Sequence, residues 1–354
     1  MTNFLQLHLL TFYAPSNLNR DDLGRPKTAM VGGVNRLRVS SQSLKRAWRV
    51  SDLFATTFKN HLAKRTQRLG EDIFNHLLSL GQSKDAAQKI TREILPVFGK
   101  PKPEDDAAPL YTEQLAFIAP EERATAFAFA ERMAKGEKFD AKKQAGEILR
   151  QSDTAVDLAM FGRMLAANPD YNREAAVQVA HAITTHKSTI EDDYYTAVDD
   201  LKKPSEDAGA GFVGEAGFGA GLFYLYLCVD QDLLLKNLSG NKELAGMACA
   251  ALVEAAATIA PGGKQASYAS RARASYILAE RGTSQPRSLA AAFLQPVRET
   301  EAEGDMMAAS IKRLTDLRLA LQTSYGDETK SKSMCVSGEG SLADILAFVQ
   351  ADTP

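Results

Sequence analysis

The sequence predicts an α+β fold, in which a sheet is split by a helical insertion and extended by one long β-hairpin. Strand-like segments lie at the start of the chain and again beyond residue 190. Between them, from about residue 51 to 186, apolar side chains recur every three or four residues, as in amphipathic helices. An aromatic and β-branched segment then meets a glycine-rich return near residues 190–221. This order indicates a sheet domain, an inserted helical block and a hairpin.

The first elements are a strand, a loop, a second strand and a helix. Leu5, Leu7 and Leu9 alternate within residues 4–13, which predicts a strand. Pro, Asn, Asp and Gly residues predict a loop before the second strand, VNRLRVS. Ser40 or Ser41 is placed to cap the helix that begins QSLKRAWR.

The rest of the chain gives a helical block and then a mixed region. The helical pattern includes AAVQVAHAITTH (175–186) and is interrupted by an exposed loop at 99–109. Predicted strands follow at 188–201, 222–230 and 269–280, and predicted helices at 242–260, 287–297 and 303–321.

Composition limits the class of protein. The chain has 354 residues, enough for two or three lobes, and is 45% hydrophobic and 24% charged, as in ordinary globular proteins. Gln6 and His8 break the first apolar run, so we expect no signal peptide, and no stretch is apolar enough to cross a bilayer. The cysteines are three and far apart, which argues against a disulfide framework or a CxxC metal site. We expect a cytoplasmic protein without a cofactor.

Charge is unevenly distributed along the chain. The formal net charge is −2, yet residues 1–50 contain eight Lys or Arg and two acids, which leaves −8 on the remainder. A basic patch on an acidic body indicates a defined path for a polyanion rather than general affinity for nucleic acid.

The segment RLRVSSQSLKRAWR (36–49) concentrates this charge. On a helix from Ser41, a spacing of four places Ser41, Lys45 and Arg49 on one face, with Gln42 and Arg46 beside them. A helix N-terminus favours a phosphate, and Ser40 adds a hydroxyl. Arg36 and Arg38 alternate on the preceding strand, so the same side is predicted for both. The convergence favours phosphate binding over the alternative, a solvated amphipathic helix.

Three other motifs indicate no chemistry of their own. GAGFVG (209–214) matches G-x-G-x-x-G, but a strand rather than a helix follows it, so a dinucleotide site is not predicted. The acids of EDDYYTAVDD would alternate over both faces of a strand, without a histidine at ligand spacing, which favours a solvated rim over a metal-dependent nuclease. His181 and His186 lie five apart, about 140° around a helix, so we expect hydrogen-bonded core histidines rather than an acid and base pair.

The hairpin carries aromatic and aliphatic side chains. Tyr194 and Tyr195 lie on its first strand, and Phe212 and Val213 lie on the return strand. Such groups could wedge between stacked bases, or could pack on the helical block. The residues alone leave these two interpretations open.

Five motifs, in order and spacing, resemble the CasC backbone subunit of the type I-E CRISPR surveillance complex, Cascade. They are LNRDD (18–22), VGGVNRLRVSSQSLKRAWR (31–49), GRM (162–164), AHAITTH with YYTAVDDL (180–201), and PGGKQASYA (261–269). The resemblance covers nearly the whole chain and is densest in residues 15–50 and 178–226.

The resemblance implies an RRM-like (ferredoxin-like) palm, inserted helical fingers and a β-hairpin thumb. The palm would comprise residues 1–55, 180–190 and 222–354, the fingers 56–179 and the thumb 191–221. It implies several copies along a CRISPR RNA, each gripping guide phosphates while a neighbour's thumb kinks the guide. Other Cascade subunits and the target DNA strand would be further partners, and no catalytic role is expected.

The implied RNA contacts overlap those argued from the residues. Together the expected RNA-binding residues are Arg20, Lys27, Arg36, Arg38, Ser40, Ser41, Gln42, Lys45, Arg46, Arg49, Arg163 and Met164. The expected thumb wedge is Tyr194, Tyr195, Thr196, Val198, Phe212 and Val213.

The sequence departs from the family at the thumb, where two tyrosines replace a familiar Trp-Phe pair. The two tyrosine rings could still stack on a base, and each adds a hydroxyl group.

Two rival functions stay open. One is an endoribonuclease that processes CRISPR RNA with His181, His186 or the thumb acids. The other is a small-molecule enzyme that uses the glycine-rich segment.

Overall fold

The computed structural model describes residues 2–197, 200–201, 212–298, 300 and 305–351. The chain divides into two compact units. The first contains Met1–Leu53, Val179–Cys228 and Cys249–Ala351, and the second contains Phe54–Gln178 and Val229–Ala248. The predicted boundaries of palm, fingers and thumb stay a prediction.

Helices and antiparallel strands are both present, which confirms the predicted α+β class. The strands are β1 Phe4–Ser16, β2 Thr28–Val31, β3 Val34–Val39, β4 Lys64–Thr66, β5 Ala116–Ile118, β6 Val177–Val179, β7 Ala182–Thr184, β8 Glu191–Ala197, β9 Phe212–Asp230, β10 Tyr276–Gly282 and β11 Lys330–Cys335. The helices are α1 Ser41–Arg49, α2 Asp52–Thr57, α3 Leu69–Ser79, α4 Lys84–Ile94, α5 Pro120–Ala134, α6 Ala141–Ile148, α7 Val156–Phe161, α8 Gln231–Asn237, α9 Lys242–Thr258, α10 Gln265–Tyr268, α11 Met306–Tyr325 and α12 Leu342–Gln350. Short 3-10 helices span Leu95–Val97, Pro169–Tyr171 and Ala290–Phe293.

The main sheet runs in the order β11-β10-β1-β9-β7-β3-β2, and β6 and β8 also pair with β9. The neighbours β1 and β10 are antiparallel, with Leu7 opposite Ala279. Leu5, Leu7 and Leu9 are buried as their alternation predicts, and Gln6 and His8 on the other face are buried too. Strand β1 is therefore central and covered on both faces.

The first unit also has a core above the sheet. Leu10 of β1 and Tyr224 of β9 pack in one cluster with Phe293 and with Leu314 of α11. This cluster places the segment Ala290–Phe293 against the sheet, within hydrogen-bonding distance of the Arg36 guanidinium.

The second unit is built mainly of helices. Its core joins apolar faces of α3, α4 and α5, represented by Ile73, Ile94 and Phe129, with Ile148 of α6. The strands β4 and β5 form a separate two-stranded sheet. The helical periodicity predicted between residues 51 and 174 is thus largely confirmed, because it is the pattern of these buried faces.

Three secondary-structure predictions were wrong. Residues 175–186 form the short strands β6 and β7 instead of a helix, because their backbone pairs with β9 and β3. The predicted helix at 287–297 is reduced to the turn Ala290–Phe293, and the strand predicted at 269–280 begins only at Tyr276. Strands β2 and β11 and helix α12 were not predicted.

Within the described ranges, no helix combines the length and the apolar character needed to cross a membrane. Cys228 and Cys249 are buried and Cys335 is half-buried, and none of the three is joined in a disulfide.

Candidate nucleic-acid interface

Helix α1 begins at a serine cap, as predicted. Ser40 is extended, and its hydroxyl oxygen accepts a hydrogen bond from the Ser43 N–H at 3.4 Å. The Ser40 N–H donates to the Asn19 side-chain oxygen at 2.9 Å, which ties the preceding loop to the cap. No acidic side chain lies in the first turn, so no carboxylate of the helix offsets the positive end of its dipole.

The helix buries one side and exposes the other. Leu44 and Trp48 are buried, whereas Gln42 and Arg46 are exposed and Lys45 and Arg49 are half-exposed. Burial lowers the pKa of the Lys45 ammonium, so an anion placed beside it would stabilise its charged form. The predicted polar face is therefore present, with its cations at the surface.

The two serines contribute less surface than predicted. Ser40 and Ser41 are 8% and 9% exposed, and the Ser40 hydroxyl oxygen already caps the helix. The Ser41 hydroxyl donates to the Gln42 side-chain oxygen at 3.4 Å. Their part in RNA binding stays a prediction.

A groove lies beside α1, between the loop that follows β1 and the loop that follows α9. Its volume is about 690 Å³. Arg20 and Arg46 supply cations to its wall, and Asp21 supplies one carboxylate. That carboxylate accepts the N–H groups of Leu23 and Arg25, at 3.0 and 2.9 Å, and so serves the turn. The remaining lining residues are Leu18, Asn19, Ser43, Ala47, Val50, Ala260, Gly262 and Gly263.

Lys27, Arg38 and His181 form a second basic cluster next to this loop. The Lys27 N–H donates to the Asn19 carbonyl, and the Arg38 N–H donates to the Lys27 carbonyl, both at 2.8 Å. The Arg38 guanidinium donates to His181 Nδ1 at 2.8 Å, so Nδ1 is the acceptor and the ring proton lies on Nε2. Burial, and then the charges of Arg38 and Lys27, lower the pKa of His181.

This cluster corrects the interpretation of the histidines. His181 is exposed and lies between strands β6 and β7, whereas a buried position in a helical core was predicted. His186 Nε2 accepts the Leu222 N–H at 3.1 Å, and its Nδ1–H donates to the Lys187 carbonyl at 2.8 Å. Both ring nitrogens of His186 are thus used by the backbone, which is the hydrogen-bonded role predicted for it.

Arg36 was wrongly predicted to face a phosphate. It is fully buried, and its guanidinium donates to the carbonyls of Thr184 at 3.0 Å, Phe293 at 2.9 Å and Val31 at 3.4 Å. Although Arg36 alternates with Arg38, the segment ending at Phe293 covers it. Arg36 therefore joins β2, β7 and that segment and has no surface for RNA.

Arg163 is corrected in the same way. Its side chain is completely buried in the second unit, paired with the Glu122 carboxylate and bonded to the carbonyls of Phe117, Arg150 and Tyr171. The next residue, Met164, is 80% exposed. Of the two side chains of the GRM motif, only that of Met164 is exposed, and its contact with RNA stays a prediction.

The hairpin of β8 and β9 exposes the predicted wedge residues. Tyr194 is 69% exposed, and Tyr195, Phe212 and Val213 are about half exposed. The rings of Tyr195 and Phe212 lie 6.1 Å apart, and Tyr195 is opposite Gly214, where a Cβ would collide with its ring. Thr196 pairs with Val213 and is also exposed, whereas Val198 lies outside the described residues.

The base of the hairpin is fastened to the loop that carries Arg20 and Lys27. Buried Asn17 donates from its side-chain amide to the carbonyls of Gly24 and Gly217, each at 2.9 Å. Arg25 also pairs with Asp192 at 2.7 Å. The hairpin and the loop are therefore one connected structure within the first unit.

Of the predicted phosphate-binding residues of the first unit, the structure places Arg20 and Arg46 at the groove and Lys27 and Arg38 in the neighbouring basic cluster. Two features were not predicted: the exposure of His181 beside Arg38, and the groove wall formed by Ala260, Gly262 and Gly263. The one sequence signal in that wall was the PGGKQASYA motif, which contributed to the family resemblance but predicted no contact. Among the described residues, no three His, Cys, Asp or Glu side chains are grouped as a metal site would require.

Comparison with known proteins assigns the chain to a family. The family model of CT1975-like proteins matches residues 5–350. The chain belongs to the CT1975-like protein family. No curated protein matches this member of the family.

Two chains of solved structures resemble this family member. One is titled "CRISPR RNA-guided surveillance complex, pre-nicking", with 30% identity, a TM-score of 0.86, and coverage of 98% of this chain and 99% of that chain. The other is titled "CRISPR RNA-guided surveillance complex", with 25% identity, a TM-score of 0.62, and coverage of 98% and 97%. The comparisons confirm the resemblance identified from the sequence motifs.

Proposed function

We propose that this chain is a non-catalytic, RNA-binding backbone subunit of a type I-E CRISPR surveillance complex. Several copies assemble along a guide RNA in the cytoplasm, in contact with other subunits of the complex. The single observation that supports this most is the groove along α1, from Ser43 to Val50, whose wall carries the Arg20 and Arg46 cations. The titles of the similar structures supply the biological setting.

The groove suits a ribose–phosphate chain because Arg20 and Arg46 supply cations to its wall, while its one carboxylate, that of Asp21, accepts backbone N–H groups of the turn. Arg20 and Arg46 line it, and Lys45 and Gln42 lie on the same helix. Contacts of this kind give affinity through phosphate and are independent of sequence. Pairing between guide and target DNA then carries the specificity, while the protein holds the duplex in shape.

The exposed hairpin supports the second half of the proposal. Tyr195 and Phe212 present π-faces beside a basic loop, and every base can stack on such a face. In an array of copies, one hairpin reaches the guide held by the next copy and displaces a base. A head-to-tail contact that does not close generates such an open array.

Co-expression with a CRISPR array, followed by native mass measurement, tests the proposal. We expect wild-type chains to purify with guide RNA in masses that correspond to repeated copies. Arg46→Glu places a negative charge in the groove and should abolish RNA co-purification. Lys312→Glu is the matched control, because Lys312 is an exposed helix cation paired with Asp316.

Two results would contradict the proposal. If wild-type protein purified as a monomer without RNA, the proposed RNA-binding role would be contradicted. Cleavage of CRISPR RNA by purified protein, lost on His181→Ala, would instead establish the endoribonuclease. Measuring RNA ends and protein mass in the same preparation separates the two outcomes.

A further inference from the structure

The segment between α9 and β10 supplies the wall of the groove that faces α1, through Ala260, Gly262 and Gly263. We call residues 261–273, which include α10, the PGG loop. A Cβ at Gly263 would collide with the backbone carbonyl oxygens of Asn17 and Leu18, so glycine is required there for the loop to pack against the loop that carries Arg20. This close packing places Gly262 in the groove with Arg20 and Arg46.

Gly262 differs from Gly263 because the folded chain does not need a glycine there. Its φ lies outside the left-handed region, and no described heavy atom lies within 4 Å of the position of a Cβ. Gly262 is exposed and lines the groove. A residue without a side chain at this position keeps the groove open to the close approach of another backbone.

Beyond Gly262, the same loop carries exposed cations. Arg271 and Arg273 are exposed, whereas Ala274 is buried. Together with Gln265 they line a second concavity of about 360 Å³, which shares Ala260 with the groove. The two concavities therefore adjoin at Ala260.

The charge of this segment is entirely positive. From residue 255 to 279 the sequence contains Lys264, Arg271 and Arg273 and no acidic residue. Arg25 and Arg287, by contrast, pair with carboxylates of the same unit. An unbroken basic segment next to the groove is a complementary surface for a polyanion.

We propose that the PGG loop is a second phosphate-binding wall, over which the RNA backbone passes from the α1 side across Gly262 to Arg271 and Arg273. This inference rests on the proposed function and extends it. The ligand is single-stranded nucleic acid recognised through consecutive phosphates, with one wall supplied by α1 and the other by this loop.

Fluorescence anisotropy of full-length protein with a fluorescein-labelled single-stranded RNA, at several salt concentrations, tests the inference. Arg271→Ala/Arg273→Ala should reduce the slope of log affinity against log salt by about 1.4, since each lost phosphate contact on a single strand contributes about 0.7. Lys330→Ala/Lys332→Ala is the matched control, because these lysines have the same spacing and are exposed on the edge strand β11.

Gly262→Val tests the passage of the backbone across the loop. It should weaken RNA binding about tenfold or more, while the unfolding temperature stays unchanged. Gly338→Val is its control, since Gly338 is exposed, has an ordinary φ and also has open space where a Cβ would stand.

The outcomes separate this inference from the proposed function. If Arg46→Ala weakens binding while the PGG loop variants bind like wild type, the loop is not a phosphate wall and the α1 site stands. If wild-type protein fails to bind the RNA, both proposals are overturned. Loss of binding only in the loop variants and in Arg46→Ala, with both controls unchanged, supports the second wall.

Discussion

At the scale of single residues, Arg36 and Arg46 show that two arginines of one basic motif have opposite roles. Arg36 donates to three carbonyl groups and has no exposed surface. Arg46 is exposed at the groove. The same chemical group therefore serves the fold at one position and is available to a ligand at the other.

This difference predicts two separable mutational effects. Arg36→Ala should lower the free energy of unfolding by about 2–4 kcal/mol, because buried carbonyls lose their donors. Arg46→Ala should change it by less than about 0.5 kcal/mol and should reduce the salt slope of RNA binding by about 0.7. Denaturant unfolding and anisotropy measure the two effects, and an Arg36→Ala protein of wild-type stability would contradict the structural role.

At the scale of elements, the hairpin places aromatic groups where they contact solvent. The ring of Tyr195 stands over Gly214 and near the ring of Phe212, so it is supported from its own hairpin rather than by a core. Such a platform is available to stack on a base.

We expect Tyr195→Ala to lose about 1–3 kcal/mol of RNA binding for the stacked base, and Tyr195→Phe to retain it. The fluorescence of 2-aminopurine substituted along a bound RNA reports which base is unstacked. Phe12→Ala provides the control, because Phe12 is a 52% exposed aromatic residue of the same unit outside the hairpin. Equal binding by Tyr195→Ala and wild type would exclude stacking on this ring.

Several elements were predictable from the sequence because their signals are local. The alternation of β1 and the cap and amphipathic face of α1 follow from residues close to one another in the chain. Strands β6 and β7 have three residues each, too few to establish a period, so the surrounding helical pattern outweighed them.

The local features of the site were predictable from the sequence, whereas those that depend on distant residues were not. The cations of α1 lie at the surface as expected, but the burial of Arg36 depends on Phe293, which lies far along the chain. The PGG loop likewise reaches the groove only through the fold. Contacts between distant residues leave no periodic signal in one sequence.

At the scale of the whole molecule, a buried charged cluster links the sheet to α11. His8 lies between the Tyr224 hydroxyl, at 2.9 Å from Nδ1, and the Glu280 carboxylate, at 3.2 Å from Nε2. Glu280 also accepts from Arg287 and Arg318, both at 2.8 Å. Burial lowers the pKa of His8. Burial alone would raise the pKa of Glu280, but its hydrogen bonds with His8, Arg287 and Arg318 hold that pKa well below its usual range.

This cluster predicts that stability falls in acid. The unfolded chain protonates His8 near pH 6.5, whereas the folded chain does not, so the free energy of unfolding should decrease as the pH drops below about 6.5. The stability that Glu280 contributes to the folded chain is lost only at a pH below this range, where its carboxylate becomes protonated in the folded state.

Denaturant titrations from pH 5 to 8 measure this effect. His8→Gln should reduce the slope of the free energy of unfolding against pH between pH 5 and 6.5, by at most about 1.4 kcal/mol per pH unit. A smaller slope from His181 should persist, since its pKa is lowered too. A His8→Gln curve parallel to that of wild type would contradict the neutral, buried histidine.

The amide of Asn17 has a consequence for the geometry of any bound strand. Because one side chain holds both the Gly24 turn and the Gly217 strand, the cationic loop and the aromatic hairpin cannot shift independently. Under the proposed function, the interval between a bound phosphate and a displaced base would be a constant of the protein. A repeated subunit of this kind would act as a measuring gauge, imposing one step length on every guide it carries.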